Sequence, residues 1–329
     1  MAKGIGKLLQ IGIAKETVRG TAETAATYWL QTDDFNVQEK DERVTNEQTL
    51  GVIEASQGED IIRQWAEVTY KAPIGDKHFA LILNGILGTL TTGDNVDSDA
   101  SIKDHVVTVA QNAQHQAITL FKNDPLAGAD YKHALGCIES LEISYEQGKY
   151  LEYTATMKAK KGASATLTVS NTVENRFLPQ HVVFKMASAQ SGLGAASATV
   201  IKSLKLKIES NLEPDWVLGS VAPADFLNKQ IAISGELEAI WDSESTLKTP
   251  TLAGTKKALR LDMINTDVTI GSAANPMVRI DLHKVVFAEH STPAKLHDIM
   301  LESIAFTAHY DITDSKMITA TVTNAVASY

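Results

Sequence analysis

Nine histidines, one cysteine and several groups of carboxylates are the side chains in this sequence with the chemistry to hold a metal or break a bond. The histidines are His78, His105, His115, His133, His181, His283, His290, His297 and His309. A metal site needs ligands that converge, usually from positions close in sequence, and these are scattered. His283, His290 and His297 recur at a spacing that suits one helical face. Pro293 interrupts that run, however, and His283 lies in the alternating stretch Val278, Ile280, Leu282, so surface or strand-edge positions fit better. Cys137 sits among apolar residues and reads as a small buried hydrophobe rather than a nucleophile. The stretch Gly192-Leu193-Gly194-Ala195-Ala196-Ser197 superficially resembles a phosphate loop, but the third glycine and the βαβ context are missing. Carboxylates cluster at Asp33-Asp34, from Glu39 to Glu42, at Glu54 and at Glu59-Asp60. Paired carboxylates can hydrolyse glycosides. A sugar groove also wants aromatic platforms, and the four tryptophans are far apart. No G-x-S-x-G elbow, P-loop or H-E-x-x-H is present.

The elements that would position these residues are strands. Leu141, Ile143 and Tyr145 alternate with Ser140, Glu142, Ser144 and Glu146. Gln147-Gly148 supplies a turn, and Leu151, Tyr153, Ala155 and Met157 return against Glu152, Thr154, Thr156 and Lys158. This predicts a hairpin with one apolar face. A second hairpin is expected near the end, where Ile304, Phe306 and Ala308 lead through Asp311, Asp314 and Ser315 to Ile318, Ala320 and Val322. Its lead-in Met300-Leu301-Glu302-Ser303-Ile304 echoes Cys137-Ile138-Glu139-Ser140-Leu141, and Thr319-Ala320-Thr321 echoes Thr154-Ala155-Thr156. Leu218-Gly219 likewise echoes Leu50-Gly51. Strand-like stretches precede each copy (Phe35 and Val37; Leu204, Leu206 and Ile208) and follow it (Trp65, Val68 and Tyr70; Ile231, Ile233 and Leu237). Landmarks repeated in the same order predict a tandem duplication of one β-domain. The expected units are residues 1–165, an N-terminal arm and first domain, and 166–329, the second. The Ala-, Ser- and Gly-rich stretch 160–197 between them still holds a strand-like piece, His181 to Met186. One helix is expected over Lys77 to Leu87, capped by Asp76 and ended at Gly88. The matching stretch of the second half, Ala258 to Met263, reads as a strand.

The chain has 329 residues, 44% of them hydrophobic, enough for a sizeable core. Its net charge of −10 argues against a duplex-binding protein, because affinity for phosphates comes from Lys and Arg. A wall that repels phosphate lets DNA slide, so acidity suits a conduit better than a clamp. A single cysteine allows no disulfide within the chain. Gly, Lys and Gln interrupt the apolar N-terminal stretch, so no signal peptide is expected, and no run is long enough to span a membrane. Synthesis and residence in the cytoplasm of the producing cell are expected.

Several stretches resemble the tail tube proteins of long-tailed, siphovirus-type bacteriophages. They are Ile11 to Ala22, Leu81-Ile82-Leu83-Asn84-Gly85-Ile86-Leu87-Gly88 before a Thr-rich stretch, and Cys137 to Ser144 followed by Gly148. In the second half Ser203-Leu204-Lys205-Leu206, Leu218-Gly219-Ser220, Ser234 to Glu238 and the ending Thr321 to Tyr329 are similar too. The resemblance spans nearly the whole chain and rests on patterns of hydrophobicity and glycine. It implies a mainly β fold, two tandem sandwich or barrel-like domains with a flanking helix in the first. It implies no enzymatic activity and no cofactor. It implies self-association into rings that stack into a hollow tube in the virion tail, with some acidic side chains lining the channel. Tail-tip or initiator, tape measure and tail terminator proteins are the implied partners, and viral DNA passes without specific binding. Tail tubes show six domains per ring, so a duplicated chain is expected to close as a trimer, with a hexamer as the alternative. Contact loops between subunits are expected at 44–60, around Val44, Leu50, Gly51, Val52 and Ile53, and at its counterpart 212–228, which holds Trp216, Leu218 and Phe226. Two other readings compete: a carbohydrate-binding β-sandwich module on a phage or cell surface, and a glycosidase using the acidic clusters.

Overall fold

The computed structural model describes residues 5–94, 99–126, 130–241, 243, 247–293, 296 and 298–329. In the first half the chain forms β1 (Gln10–Lys15), β2 (Tyr28–Leu30), β3 (Asp34–Asn46), β4 (Gly58–Pro73), α1 (His78–Leu87), β5 (Gly88–Asp94), β6 (Lys103–Val109), β7 (Ile118–Asn123), β8 (Tyr131–Glu146), β9 (Glu152–Ala159) and β10 (Ala163–Ser164). The second half continues with β11 (Val182–Ala187), β12 (Ser203–Glu209), β13 (Leu212–Asp215), β14 (Asp225–Asn228), β15 (Ala232–Ile240), α2 (Lys248–Leu252), β16 (Lys257–Ile264), β17 (Met277–Ser291), β18 (Leu301–Ala308) and β19 (Ile318–Asn324). The protein is mainly β, and every strand pairing is antiparallel.

Strict alternation makes the first expected hairpin. β9 buries Tyr153, Ala155 and Met157 and half-exposes the residues between, and Leu141 of β8 pairs with Ala155. The second expected hairpin does not form. β18 and β19 exist, but they do not pair with each other. Both lie along the same side of β17, where Phe306 faces Phe287 and Val322 faces Val278. The turn between them is an excursion from one long edge. Alternation located the strands but could not choose their partners.

Pairing follows the same order twice. In the first half the order is β3–β4–β9–β8, and in the second β12–β15–β18–β17. The N-terminal part of β8 then pairs with β7, which pairs with β1; that of β17 pairs with β16, which pairs with β11. Even the irregularities coincide: Ile118 faces Gly136 and Leu120 faces His133, as Lys257 faces Val285 and Leu259 faces Leu282. By this correspondence Cys137 matches Val286, not Met300 as the lead-in motifs suggested, and Ala258 to Met263 matches β7 rather than the helix. The short α2 stands where α1 stands, between the fourth-strand counterpart and the next strand. Among the described residues β5 and β6 have no counterpart in the second series.

The two halves are knit together. β12 pairs with β8 over seven positions, from Ser203 opposite Glu146 to Glu209 opposite Ser140. β19 pairs with β6. One core runs through both series, from Ile11 and Phe79 to Leu206, Ile280 and Phe306. Helix α1 has no polar face; all ten residues are buried. Its Gly85 lets it lie against Ile118 and Ile138, where an added Cβ would come within 2.8 Å. Gly88 ends it in the left-handed conformation, as expected, with φ 96°. Asp76 does not cap it. The cap position is Lys77, which makes no side-chain capping bond, and the Asp76 carboxylate accepts instead from the Asn175 backbone and side-chain amides.

Candidate assembly surfaces

The side chains opposite the core make one polar wall across the eight strands from β3 to β17. On it Glu142 stands between Thr154 and Lys207, Lys205 between Ser144 and Glu236, and Glu67 beside Lys158. Glu146, Glu152, Glu209 and Glu238 lie on the same face. Several of these charges are paired: Lys71 with Glu152 at 2.6 Å and Lys207 with Glu209 at 2.6 Å. Pairs this exposed contribute little stability. Their consequence is a surface of mixed charge without an attractive track of lysines and arginines, such as phosphate binding requires.

At the distal end of each series the first hairpin extends into an arm. In the first half β3 and β4 continue as a long ladder, with Val44 paired to Asp60, so the loop proper is 47–57 and not 44–60. Its tip is bare: Leu50 is 66% exposed, Val52 62% and Ile53 102%. Gly51 holds a positive φ of 79° there, as Gly219 does at 90° in the counterpart. The counterpart behaves differently. The chain kinks at Asn211, φ 47°, and the β13–β14 hairpin folds over the first half of its own chain. Phe226 is completely buried against Ala117, Leu135 and Cys137. Trp216 meets the edge of Trp65 at 5.9 Å and lies under the Arg63 guanidinium. Arg19 fastens the arm with two bonds of 2.9 Å from Nε to the Asp225 carboxylate and another from Nη2 to the Phe226 carbonyl. Of the expected contact residues in this arm, Phe226 is therefore consumed within the chain and Trp216 partly so, while Leu218 is fully exposed.

The residues with potential chemistry do not converge. His78 pairs with Glu174, His181 with Asp267, His283 with Asp314 and Thr319, and His105 with Thr92, Asn324 and the Val326 carbonyl. His283 and His290 lie on β17, and His297 falls outside the described residues. Among the described residues no group of three His, Cys, Asp or Glu could hold a metal. Burial pushes the Cys137 thiol up to about 12, so it is no nucleophile. The stretch 192–197 lies between β11 and β12, with Leu193 buried and the N–H groups of Gly192, Leu193 and Ala196 donating to carbonyls of the same turn. No tryptophan is exposed among the described residues, and the exposed tyrosines Tyr131, Tyr150 and Tyr310 are scattered in sequence. No helix of the described residues is long and apolar enough to cross a membrane.

Sequence reasoning missed the seam between β8 and β12, and it missed Arg19. The signal for the seam was present: Leu204, Leu206 and Ile208 are apolar on one face, and the neighbouring Lys205 and Lys207 complement Glu142 and the glutamates of β15. A family model described as "Phage tail tube protein" matches residues 6–323. No curated protein matches the chain.

Proposed function

The chain belongs to the phage tail tube protein family, a structural component of the virion tail and not an enzyme, and on that premise we propose how it builds the tube. Each chain is a tandem duplication, with units at about 1–165 and 166–329, and supplies two of the six wall units of a ring. Three copies close the ring, rings stack, and the polar face of the sheet lines the conduit through which DNA of a siphovirus-type phage leaves. The observation that carries this reading is the pairing order β3–β4–β9–β8 repeated as β12–β15–β18–β17 and joined through β8 and β12 by ordinary sheet pairing. Two units already set side by side in this way are the repeating element of a ring, since a contact between unlike patches closes by rotation.

The bare tip formed by Leu50, Gly51, Val52 and Ile53, with Val44 at its base and Leu218 on the second arm, is the contact region between successive rings. An exposed apolar tip on a long charged hairpin is stabilised by covering it. Tail-tip, tape measure and terminator proteins meet the same tube at its ends and along its bore, and the subunits are made in the host cytoplasm. Negative-stain electron microscopy with rotational averaging of end-on views tests the assembly. Three-fold rings with six similar wall lobes are expected. Six-fold rings with outer knobs would discard the trimer, and small particles that persist at high concentration with tail-tip partners present would discard the tube.

A further inference from the structure

The seam between β8 and β12 joins the two four-strand series and leaves the far edge of each unpaired among the described residues: the outer edge of β3, and the edge of β17 beyond Val285. Burial marks what is missing there. Leu204 and Leu206 at the filled seam are 1% and 0% exposed, whereas their counterparts Phe35 and Val37 on β3 are only half-buried. On β17, Ala288 is exposed, while its counterpart Ser140 is half-covered by β12.

The correspondence also translates the arm. Leu212 opposite Asn228 becomes Arg43 opposite Ile61, and Pro214 opposite Phe226 becomes Thr45 opposite Glu59. The pocket that receives Phe226 (Ala117, Leu135 and Cys137) becomes Lys256, Lys284 and Val286. An apolar plug in an apolar pocket at one seam thus corresponds to a carboxylate and a pair of lysines at the other. Glu59 is half-exposed, with Arg43 at 3.9 Å as its neighbour, and Asp60 stands next to it. Neither Lys256 nor Lys284 makes a salt bridge with a described residue of its own chain.

We infer that a second copy of this chain fills these edges. β3 of one chain pairs antiparallel with β17 of the next, with Lys40 opposite Ala288, and the 43–61 arm folds across the neighbour so that Glu59 lies on Lys256 and Lys284. The register copies Glu209 opposite Ser140 within the chain. Glu39 then comes level with Glu289, but its carboxylate is already turned to the Gly162 amide and toward His133. Beyond this point the positive φ of Glu289 ends the regular edge, so the arm supplies the rest of the contact. Using apolar packing for the permanent seam and charge for the intermolecular one keeps the free chain from exposing a large apolar pocket, and it makes the second contact sensitive to salt. The inference rests on the tail tube reading above and specifies which surfaces meet.

The test is a disulfide placed across the register. Residues directly opposite in an antiparallel pair have Cα atoms about 4.5–5.5 Å apart, within disulfide range. Lys40→Cys with Ala288→Cys should join neighbouring chains in assembled tubes, and the covalent ladder should stop at the number of chains in a ring. Glu209→Cys with Ser140→Cys, the control, should close within one chain and leave monomers on a denaturing gel. Glu59→Lys should reduce ring yield at least about 10-fold at low salt, and adding Lys256→Glu and Lys284→Glu should restore it, since like charges facing across an interface are repulsive. Tubes that form without the Lys40–Ala288 crosslink, with Glu59→Lys assembling normally, would overturn the inference and leave the tail tube reading standing. Failure of the unaltered chain to form rings or tubes even with the tail-tip complex would overturn both.

Discussion

At the scale of single residues, Cys137, a candidate for chemistry, instead helps form the pocket that holds the fold together. Phe226 and Arg19 show how. The ring of Phe226 fills a pocket from the other half of the chain, and Arg19 binds the backbone and carboxylate on either side of it. Phe226→Ala should cost about 3–5 kcal/mol, the range for large core aromatics, read as a shift in the urea midpoint. Arg19→Met should cost less, about 2 kcal/mol, in keeping with charged hydrogen bonds at a part-exposed site. Hydrogen exchange should then speed up in residues 212–228 and not in α1. His115 makes a separate prediction about acid. Burial pushes its pKa down to about 4, so the folded chain resists a proton that the unfolded chain accepts near 6.5. Its contribution to stability is present above about pH 6.5 and is lost as the pH falls toward 4. Burial of Glu16 and Asp76 raises their carboxyls and works in the opposite sense at the acid end. Comparing the parent with His115→Gln isolates the histidine: the difference in unfolding free energy should narrow as the pH drops from 7 to 4.5, and a constant difference would refute the assignment.

At the scale of elements, replacing 47–57 with a short turn should leave the fold intact and abolish tubes. The ladder beneath it is already fixed by pairs such as Asp34 with Lys71 and Val44 with Asp60, so circular dichroism and thermal midpoint should change little. Normal tubes from this variant would show that the bare tip is not an assembly contact. The same hairpin shows what was legible beforehand. Period-two alternation marked β8, β9, β12 and β18, and the helical run ending at Gly88 marked α1, because local periodicity records which face is buried. Partner choice was not legible. The run from Ile304 to Val322 looked like a hairpin because its strands are adjacent in sequence, yet both pair with β17, a contact no local pattern records. Asp76 failed as a cap for the same reason: its carboxylate is claimed by Asn175, ninety-nine residues away. The arm at 212–228 reads as a contact loop from its mixed composition, and no local pattern announces the kink at Asn211 that buries Phe226 in its own chain and leaves Leu218 exposed.

At the scale of the whole molecule, the repeated pairing order and the seam pull in different directions. A repeat of two self-sufficient units would unfold in two steps. Here β12 completes the edge of β8, β19 completes that of β6, and one apolar core spans both halves, so neither half can open without stripping the other. Units coupled so tightly unfold together when the interface energy exceeds the difference between their own stabilities. Calorimetry of the monomer should therefore show one transition, coincident with loss of both near- and far-ultraviolet dichroism. Leu206→Ala, at the centre of the seam, should lower that single transition by about 2–5 kcal/mol rather than split off a second one. Val37→Ala, at the matching position on the free β3 edge, should cost the monomer about 1 kcal/mol or less, because the site is only half-buried. Its larger effect should appear as weaker ring formation, since the covering strand comes from another chain. Two separate transitions in the parent, or equal losses from the two substitutions in the monomer, would mean that the halves fold independently and that the seam adds contact without coupling.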